Sequence, residues 1–334
     1  MISRISILGT GLLGTSVGLA LKRNGYKGSI VGWNRSAEQG QLALKLGAVD
    51  SLAVEGVEAA QASQVTVIAV PIFATLDWME KLATVLGPEQ LVTDVGSTKR
   101  VISEAAARLY NTPERAAFLP GHPMAGKERG GAALADANLF RGAVWLFTDG
   151  QNVLRSPRGT ELVNEWRELV SAMGAKTLDL DPVRHDELVA WVSHLPQFTA
   201  TALSALLEEE VGDAPELRDV GGRALREMTR LGASPYSMWR DIAHSNTDAV
   251  ERALLALEQH LAHLRENLRT PELKSEFEQA NSSGRNNAET IGARAALGER
   301  LCNAAAGHRY RARLLQSQMT FCFITFPFVL APRQ

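Results

Sequence analysis

The chain has 334 residues, of which 45% are hydrophobic and 22% are charged, and its formal net charge is −2. This composition is typical of a globular protein, and a charge near zero gives no electrostatic reason to expect binding to nucleic acid or to a membrane surface. Two cysteines, Cys302 and Cys322, are too few for a disulfide framework. The N-terminus shows no signal-peptide pattern, so we expect a cytoplasmic protein.

Short runs of Val, Ile and Leu alternate with amphipathic stretches over residues 1–180. The runs "RISILG", "SIVGWN", "VTVIAVP" and "LVTDVGS" predict buried parallel strands, and the stretches between them predict helices. The runs "AAFLPG" and "AVWLFT" predict two further strands, with a glycine-rich loop around His122 between them. We therefore predict an α/β fold whose N-terminal domain, residues 1–180, is a Rossmann-type parallel sheet covered on both faces.

After about residue 180 the strand pattern stops, and long helical patterns replace it. Four leucines share one face of a predicted helix: Leu254, Leu257, Leu261 and Leu264. This pattern predicts an all-helical domain over residues 181–315, and its many apolar faces predict a homodimer. Residues 316–334 form an apolar tail that Pro327 interrupts and that is too short to span a membrane; we assign it no role.

The segment "GTGLLG", residues 9–14, has the spacing GxGxxG between a predicted strand and a predicted helix, which is the context of dinucleotide-binding folds. The first glycine permits the tight turn, the second lets a pyrophosphate approach the backbone, and the third lets helix and strand pack closely. The amide hydrogens at the start of the helix would bind the phosphates. The predicted cofactor loop comprises Gly9, Gly11, Leu12, Leu13 and Gly14.

The end of the second predicted strand bears on the choice between NAD and NADP. It carries Asn34, Arg35 and Ser36, with no carboxylate to bond a ribose 2′-hydroxyl or to repel a 2′-phosphate. Since Arg35 can pair with such a phosphate, the sequence favours NADP. The alternative is that Arg35 is a solvated surface charge and that NAD binds through Asn34.

Four segments then follow one another in a family-specific order: "DVGSTK", "GHPMAGKERGG", "AWVSHLPQ" and "REMTRLGASPYSMWRDI". In these motifs the chain resembles the prephenate and arogenate (cyclohexadienyl) dehydrogenases of tyrosine biosynthesis. The resemblance implies NAD(P)-dependent oxidative decarboxylation of a small-molecule substrate, either prephenate to 4-hydroxyphenylpyruvate or arogenate to tyrosine. It also implies a homodimer.

The resemblance assigns catalytic roles to His122, in "GHPMAG", and Ser97, in "DVGSTK". Loss of hydride from a carbinol carbon requires that the hydroxyl proton also leaves, and a neutral histidine is its natural acceptor. A histidine bonded within its own turn is the alternative for His122. Ser97 is equally placed to cap the helix that follows it.

The same resemblance assigns substrate-binding roles to Arg230, His194, Gln197 and Trp239. The planar guanidinium of Arg230 suits a carboxylate of the dianionic substrate. His194 either borders the pocket or is a buried histidine bonded to a backbone carbonyl. Gln197 stands where prephenate-preferring members often carry histidine, which leaves the substrate open, and Trp239 is either beside the site or in the core.

Other signals receive structural interpretations. His185 is predicted to be solvated at a helix start, and no metal site is predicted, because His260 and His263 lack a third ligand nearby.

A β-hydroxyacid dehydrogenase or imine reductase is a second enzymatic interpretation, but it would require a lysine or aspartate where this chain has "AWVSHLPQ". A redox sensor that binds a dinucleotide without turnover is the interpretation from another functional class.

Overall fold

A computed structural model describes residues 1–150 and 153–282, and its first feature is a six-stranded sheet. The strands are β1 (Arg4–Leu8), β2 (Ser29–Trp33), β3 (Ser51–Leu52), β4 (Val65–Ile68), β5 (Leu91–Asp94) and β6 (Ala117–Leu119). All five neighbouring pairs are parallel, in the order β3-β2-β1-β4-β5-β6. This order confirms the predicted Rossmann-type sheet.

Helices cover both faces of the sheet. They are α1 (Leu12–Arg23), α2 (Ala37–Lys45), α3 (Gly56–Gln61), α4 (Ile72–Ala83), α5 (Arg100–Leu109) and α6 (Pro157–Ala172). On one face the strands pack Ile5 and Val67 in one buried cluster with Trp166, and on the other Ile68 joins a second cluster with Met79. Burial on both faces explains why the strands are continuous apolar runs.

A second, three-stranded sheet carries His122. Its strands are β7 (Gly121–Pro123), β8 (Val144–Phe147) and β9 (Lys176–Asp179), with β7 antiparallel and β9 parallel to β8. The prediction of a loop at His122 is therefore wrong, because His122 pairs with Leu146 in a strand. The sequence analysis also missed β9, whose four residues are all exposed and so lack an apolar pattern.

Helices alone follow β9 in the described residues, as predicted. They are α7 (Pro182–Val189), α8 (Leu195–Val211), α9 (Leu217–Val220), α10 (Arg223–Thr229), α11 (Tyr236–Ser245) and α12 (Thr247–Glu266). Met1 to Leu261 form one compact unit, and residues from Ala262 onward belong to a second. The predicted boundaries at residues 180 and 315 stay predictions, and the apolar tail lies outside the described residues. None of the described helices is long and apolar enough to cross a membrane.

A π-helical turn, Ala190–His194, joins α7 to α8. Pro196 lies in the first turn of α8, where its missing N–H breaks no hydrogen bond within that helix. The wide turn thus lets a nearly continuous helical run pass through a proline, and it ends at His194, whose side chain is buried. A local backbone feature therefore sets the position of a predicted site residue.

The glycine loop between β1 and α1 has the geometry that its spacing predicts. Gly9 has φ +101°, and a Cβ there would lie 2.3 Å from the carbonyl oxygen of Ala69. A Cβ on Gly14 would lie 2.0 Å from the carbonyl oxygen of Gly9, whereas one on Gly11 would meet no atom within 4 Å. Gly9 and Gly14 are therefore required by the backbone, and Gly11 leaves open space at the start of the helix.

These distances predict unequal costs for two substitutions. Gly9→Ala and Gly25→Ala each force a side chain onto a positive φ, +101° and +96°, which costs about 1–3 kcal/mol. Only Gly9→Ala adds a collision with backbone, since nothing lies within 4 Å of the Cβ position at Gly25. We expect urea unfolding without cofactor to show Gly9→Ala less stable than Gly25→Ala by about 2 kcal/mol or more. Equal stabilities would contradict the close approach at Gly9.

Candidate active site

The glycine loop is suited to hold a dinucleotide pyrophosphate. Leu12 and Leu13 are the first two residues of α1, so their N–H groups have no acceptor within the helix. The first turn of α1 carries no acidic side chain, and the space over Gly11 is open. The partial positive charge of the helix terminus is therefore accessible to an anion over Gly11.

Three residues follow β2, and the side chains of two of them, Asn34 and Ser36, make hydrogen bonds within the described structure. Asn34 donates from Nδ2 to Oγ1 of Thr10 at 3.1 Å and accepts the N–H of Ser36 at 2.9 Å. Ser36 caps α2, since its Oγ accepts the N–H of Gln39. Arg35 is exposed and makes no ion pair with any described residue. Its guanidinium is therefore available to a ligand on this side of the sheet.

His122 is 7% exposed and lies in a cluster of other titratable groups. Its Nδ1 is 2.9 Å from Nε2 of His185, and Nδ1 of His185 is 2.8 Å from Oδ1 of Asp186. Burial, followed by the electrostatic effects of the neighbouring His185, Lys99 and His194, holds the pKa of His122 well below its usual range. The imidazole is thus uncharged near neutral pH and can accept a proton.

A buried ion pair lies beside this histidine. Nζ of Lys99 is 2.6 Å from Oδ2 of Asp94, and both side chains are fully buried. Asp94, the last residue of β5, also accepts the N–H of Gly96 at 2.7 Å and that of Gly121 at 3.1 Å. Burial lowers the pKa of Lys99, while the charge of Asp94 opposes that shift. The pair thereby ties β5 to the strand that carries His122.

His194 is 1% exposed, and its Nδ1 lies 3.4 Å from the side-chain amide of Asn246. Its partner is therefore a side chain and not the backbone carbonyl that one alternative predicted. Its Nε2 is buried without a hydrogen-bond partner among the described residues, and burial lowers its pKa to about 4. The ring meets the edge of Trp239 at a centroid distance of 5.9 Å. Trp239 is half-buried, and its Nε1 also has no partner in the described structure.

Gln197 is buried and supports the turn that carries Arg230. Its Nε2 donates to the carbonyl of Leu231 at 2.7 Å, which fixes the orientation of the amide, and to Oγ1 of Thr201 at 3.2 Å. Its Oε1 accepts from Ser234 at 3.1 Å, which leaves one acceptor lone pair unused. Gln197 and Trp239 both line a cavity of about 220 Å³.

Arg230 begins the 3₁₀ turn Arg230–Ala233 and is more than half exposed. Its guanidinium forms an ion pair with Glu128, which follows the "GHPMAG" segment by two residues. The structure thus brings the predicted carboxylate-binding arginine to the segment that carries His122. A carboxylate already occupies the guanidinium, so a substrate carboxylate would have to replace or join it.

Ser97 lies in the turn between β5 and α5 and is half-buried. It does not cap α5, because that helix begins at Arg100 without a local side-chain cap. Instead Asp186, on α7, accepts the N–H groups of Lys99 at 2.7 Å and Arg100 at 3.0 Å. The hydroxyl of Ser97 makes no hydrogen bond with described residues, and its catalytic role stays a prediction.

The expectation that His185 is solvated is wrong, because its side chain is fully buried. Asp181 caps α7 through the N–H groups of Val183 and Arg184, and this start of the helix turns the next two residues inward. Val189, four residues later, is buried on the same side. That spacing was the available signal, while the partner that buries His185 comes from a different part of the chain.

Nothing in residues 1–150 and 153–282 groups three or more His, Cys, Asp or Glu side chains closely enough to hold a metal ion.

Two family models match most of the described chain. The model described as prephenate dehydrogenase, nucleotide-binding domain, matches residues 17–178, and that described as prephenate dehydrogenase, dimerization domain, matches residues 181–279. A prephenate dehydrogenase from Bacillus subtilis is 33% identical over 247 residues, which are 74% of this chain and 65% of that protein. The match thus spans slightly less than two thirds of that relative's length.

Solved structures agree with this match. A prephenate dehydrogenase from A. aeolicus, in complex with hydroxyphenyl propionate and NAD+, superposes with a TM-score of 0.74 at 26% identity, covering 87% of this chain and 99% of that one. An arogenate dehydrogenase from Synechocystis gives a TM-score of 0.68 at 29% identity, covering 85% of this chain and 99% of that one.

Proposed function

This chain belongs to the prephenate dehydrogenase family, and from that premise we propose that it catalyses the oxidative decarboxylation of prephenate to 4-hydroxyphenylpyruvate in tyrosine biosynthesis. The observation that carries the proposal is the neutral, buried His122 at the carboxyl edge of a dinucleotide-binding sheet. Ligands of open α/β sheets bind at that edge.

A nicotinamide dinucleotide bound at the glycine loop would supply the hydride acceptor. As hydride leaves the carbinol carbon of prephenate, His122 takes the proton of the hydroxyl group, and the carbinol becomes a carbonyl. The bond to the ring carboxylate then breaks, its electron pair enters the ring, and CO₂ leaves. The ring becomes aromatic, and its oxygen regains a proton, for which the protonated His122 is the nearest assigned donor.

Arg230 is the proposed carboxylate-binding residue. Two carboxylates on the substrate require positive charge, and the guanidinium is already placed to hold one carboxylate, that of Glu128. If the ion pair between Arg230 and Glu128 opened on substrate binding, the N–H groups of the guanidinium could bind a substrate carboxylate instead. Ser97, His194 and Trp239 are proposed to border the ring of the substrate.

We propose NADP as the preferred cofactor, since Arg35 is exposed and has no ion-pair partner in the described residues. Asn34 and Ser36 are both engaged with their own loop and helix, which leaves Arg35 as the group available to a 2′-phosphate. The name of the A. aeolicus structure records NAD+ for that relative.

Arogenate is the second candidate substrate, and Gln197 favours it. Both amide hydrogens of Gln197 are in use, and the one remaining group is a lone pair on Oε1. A lone pair suits the ammonium of arogenate, whereas the keto oxygen of prephenate needs a donor. The ratio of kcat/KM for the two substrates decides between them.

We also propose that the chain is a cytoplasmic homodimer. The matching model for residues 181–279 is named for dimerization, and α8 and α12 expose large apolar side chains in the single chain. These side chains are Leu206, Leu254, Leu255 and Leu261. Large apolar side chains that are exposed in the single chain are typical of a subunit interface.

The proposed function is tested by mixing purified protein with prephenate or arogenate and with NAD+ or NADP+, while the absorbance of reduced cofactor is recorded. We expect reduction with at least one substrate. His122→Asn keeps a donor toward His185 but has no basic nitrogen, so kcat should fall about 10²–10⁴-fold while cofactor affinity stays unchanged. No reduction by the unaltered protein would favour the redox sensor, and equal losses of kcat and cofactor affinity would make His122 structural.

Arg230→Gln should raise KM for the substrate about tenfold or more, because a charged hydrogen bond contributes about 1.5–3 kcal/mol. Arg226→Gln is the matched control, since Arg226 lies one turn earlier, is exposed and has no ion-pair partner in the described chain. The two KM values are measured at saturating cofactor. A KM for Arg230→Gln equal to that of the control would remove the assigned role.

Arg35→Ala should raise KM for NADP+ about tenfold and change KM for NAD+ little, because only NADP carries the 2′-phosphate that a guanidinium binds. NAD+ is the internal control for any general damage to the site. Equal changes for both cofactors, or no change for either, would reverse the preference for NADP.

A further inference from the structure

His122 is the first member of a buried hydrogen-bonded series that the proposed reaction does not by itself explain. His185 follows it at 2.9 Å and Asp186 at a further 2.8 Å, and the two lie 0% and 3% exposed. Both belong to α7, the first helix after the nucleotide-binding part, while His122 belongs to β7. The helical part of the chain thus reaches the proposed proton acceptor through two side chains.

The far end of the series fixes where the protons lie. Oδ1 of Asp186 accepts the N–H of Lys99 at 2.7 Å, and Oδ2 accepts that of Arg100 at 3.0 Å. Each of the two carboxylate oxygens thus acts as a hydrogen-bond acceptor. The contact at Nδ1 of His185 must therefore carry its hydrogen on the histidine.

The same reasoning passes along the series to His122. Burial lowers the pKa of His185; the hydrogen bond to Asp186 opposes this shift, Lys99 adds to it, and the net direction is downward. The ring is therefore neutral near neutral pH and has a single N–H. That N–H points to Asp186, and Nε2 of His185 is consequently an acceptor. Nδ1 of His122 must then be the donor in the 2.9 Å contact. The lone pair of His122 is left on Nε2, the atom with no partner among the described residues.

Building on the proposed dehydrogenase function, we propose that His185, oriented by Asp186, is a positioning residue that fixes His122 in the Nδ1–H tautomer and so makes Nε2 the proton acceptor. Without this series the neutral ring of His122 would divide its proton between both nitrogens and rotate more freely. The arrangement follows the logic of a carboxylate that orients a catalytic histidine, extended here by a second imidazole.

His185 and Asp186 are both buried, and neither needs to contact the substrate in this role. As His122 accepts a proton at Nε2, its Nδ1–H becomes a stronger donor to His185, whose own N–H is held by the Asp186 carboxylate. The series therefore keeps an acceptor opposite the Nδ1–H of His122 while the proton is taken up at Nε2. The buried ion pair between Lys99 and Asp94 lies beside this series.

Two variants of His185 test the role kinetically. His185→Leu fills the buried site with an apolar side chain that has no hydrogen-bond acceptor. We expect kcat to fall about 10²-fold or more, while KM and cofactor affinity stay within a few fold of the values of the unaltered enzyme. His185→Gln places an amide oxygen at the distance of Nε2, and it should restore a large part of the lost kcat. A His185→Leu enzyme with kcat close to that of the unaltered enzyme, or equal losses in both variants, would overturn the proposal.

A spectroscopic measurement keeps the test independent of activity and of how the variants fold. The ¹⁵N spectrum of the histidine rings in the unaltered protein, with His122 assigned by its loss in His122→Asn, reports the tautomer directly. We expect the Nδ1–H form, and the Nε2–H form would overturn the proposal. Absence of turnover in the unaltered protein would instead remove the dehydrogenase function, and the tautomer result would be unaffected.

Discussion

The carboxylate of Asp186 makes hydrogen bonds both to the start of α5 and to the histidine beside His122. Its carboxylate accepts the backbone N–H groups that begin α5, and it accepts the N–H of His185, which in turn contacts His122. The start of α5 follows the turn of Ser97, and His122 lies on the second sheet, so one carboxylate relates two predicted catalytic positions. The geometry of the site therefore depends on how α7 docks against the nucleotide-binding part.

Charge around His122 is arranged so that the ring stays neutral. The ammonium of Lys99 is buried with one carboxylate, Asp94, and a fully buried pair of this kind persists only when its remaining hydrogen bonds are made. Asp94 makes two such bonds, to the N–H groups of Gly96 and Gly121. The pair lies near enough to His122 for the ammonium to lower its pKa, while burial contributes the larger effect. A neutral, buried imidazole is the form that can receive a hydroxyl proton.

Local patterns in the sequence were sufficient for the parts of the structure that local chemistry decides. The spacing of Gly9, Gly11 and Gly14 predicts the turn between β1 and α1, because that turn depends on a few neighbouring residues. The family motifs predict a catalytic role for His122, which stays a prediction. The burial of His185 and the contact between Glu128 and Arg230 depend on partners far away in the chain, and no periodicity records such a pairing. β7 is three residues long, and only its pairing with β8 makes it a strand. The sequence therefore predicts a loop at this position.

The central claim is that His122 is uncharged in the free enzyme because it is buried beside Lys99. An NMR titration of the His122 ring, assigned by comparison with His122→Asn, measures this directly. Burial and the ammonium disfavour the imidazolium, so protonation should begin only as the pH falls well below the ordinary histidine pKa of 6.5. A titration midpoint at or above 6.5 would show a solvated or carboxylate-paired ring and would contradict the account.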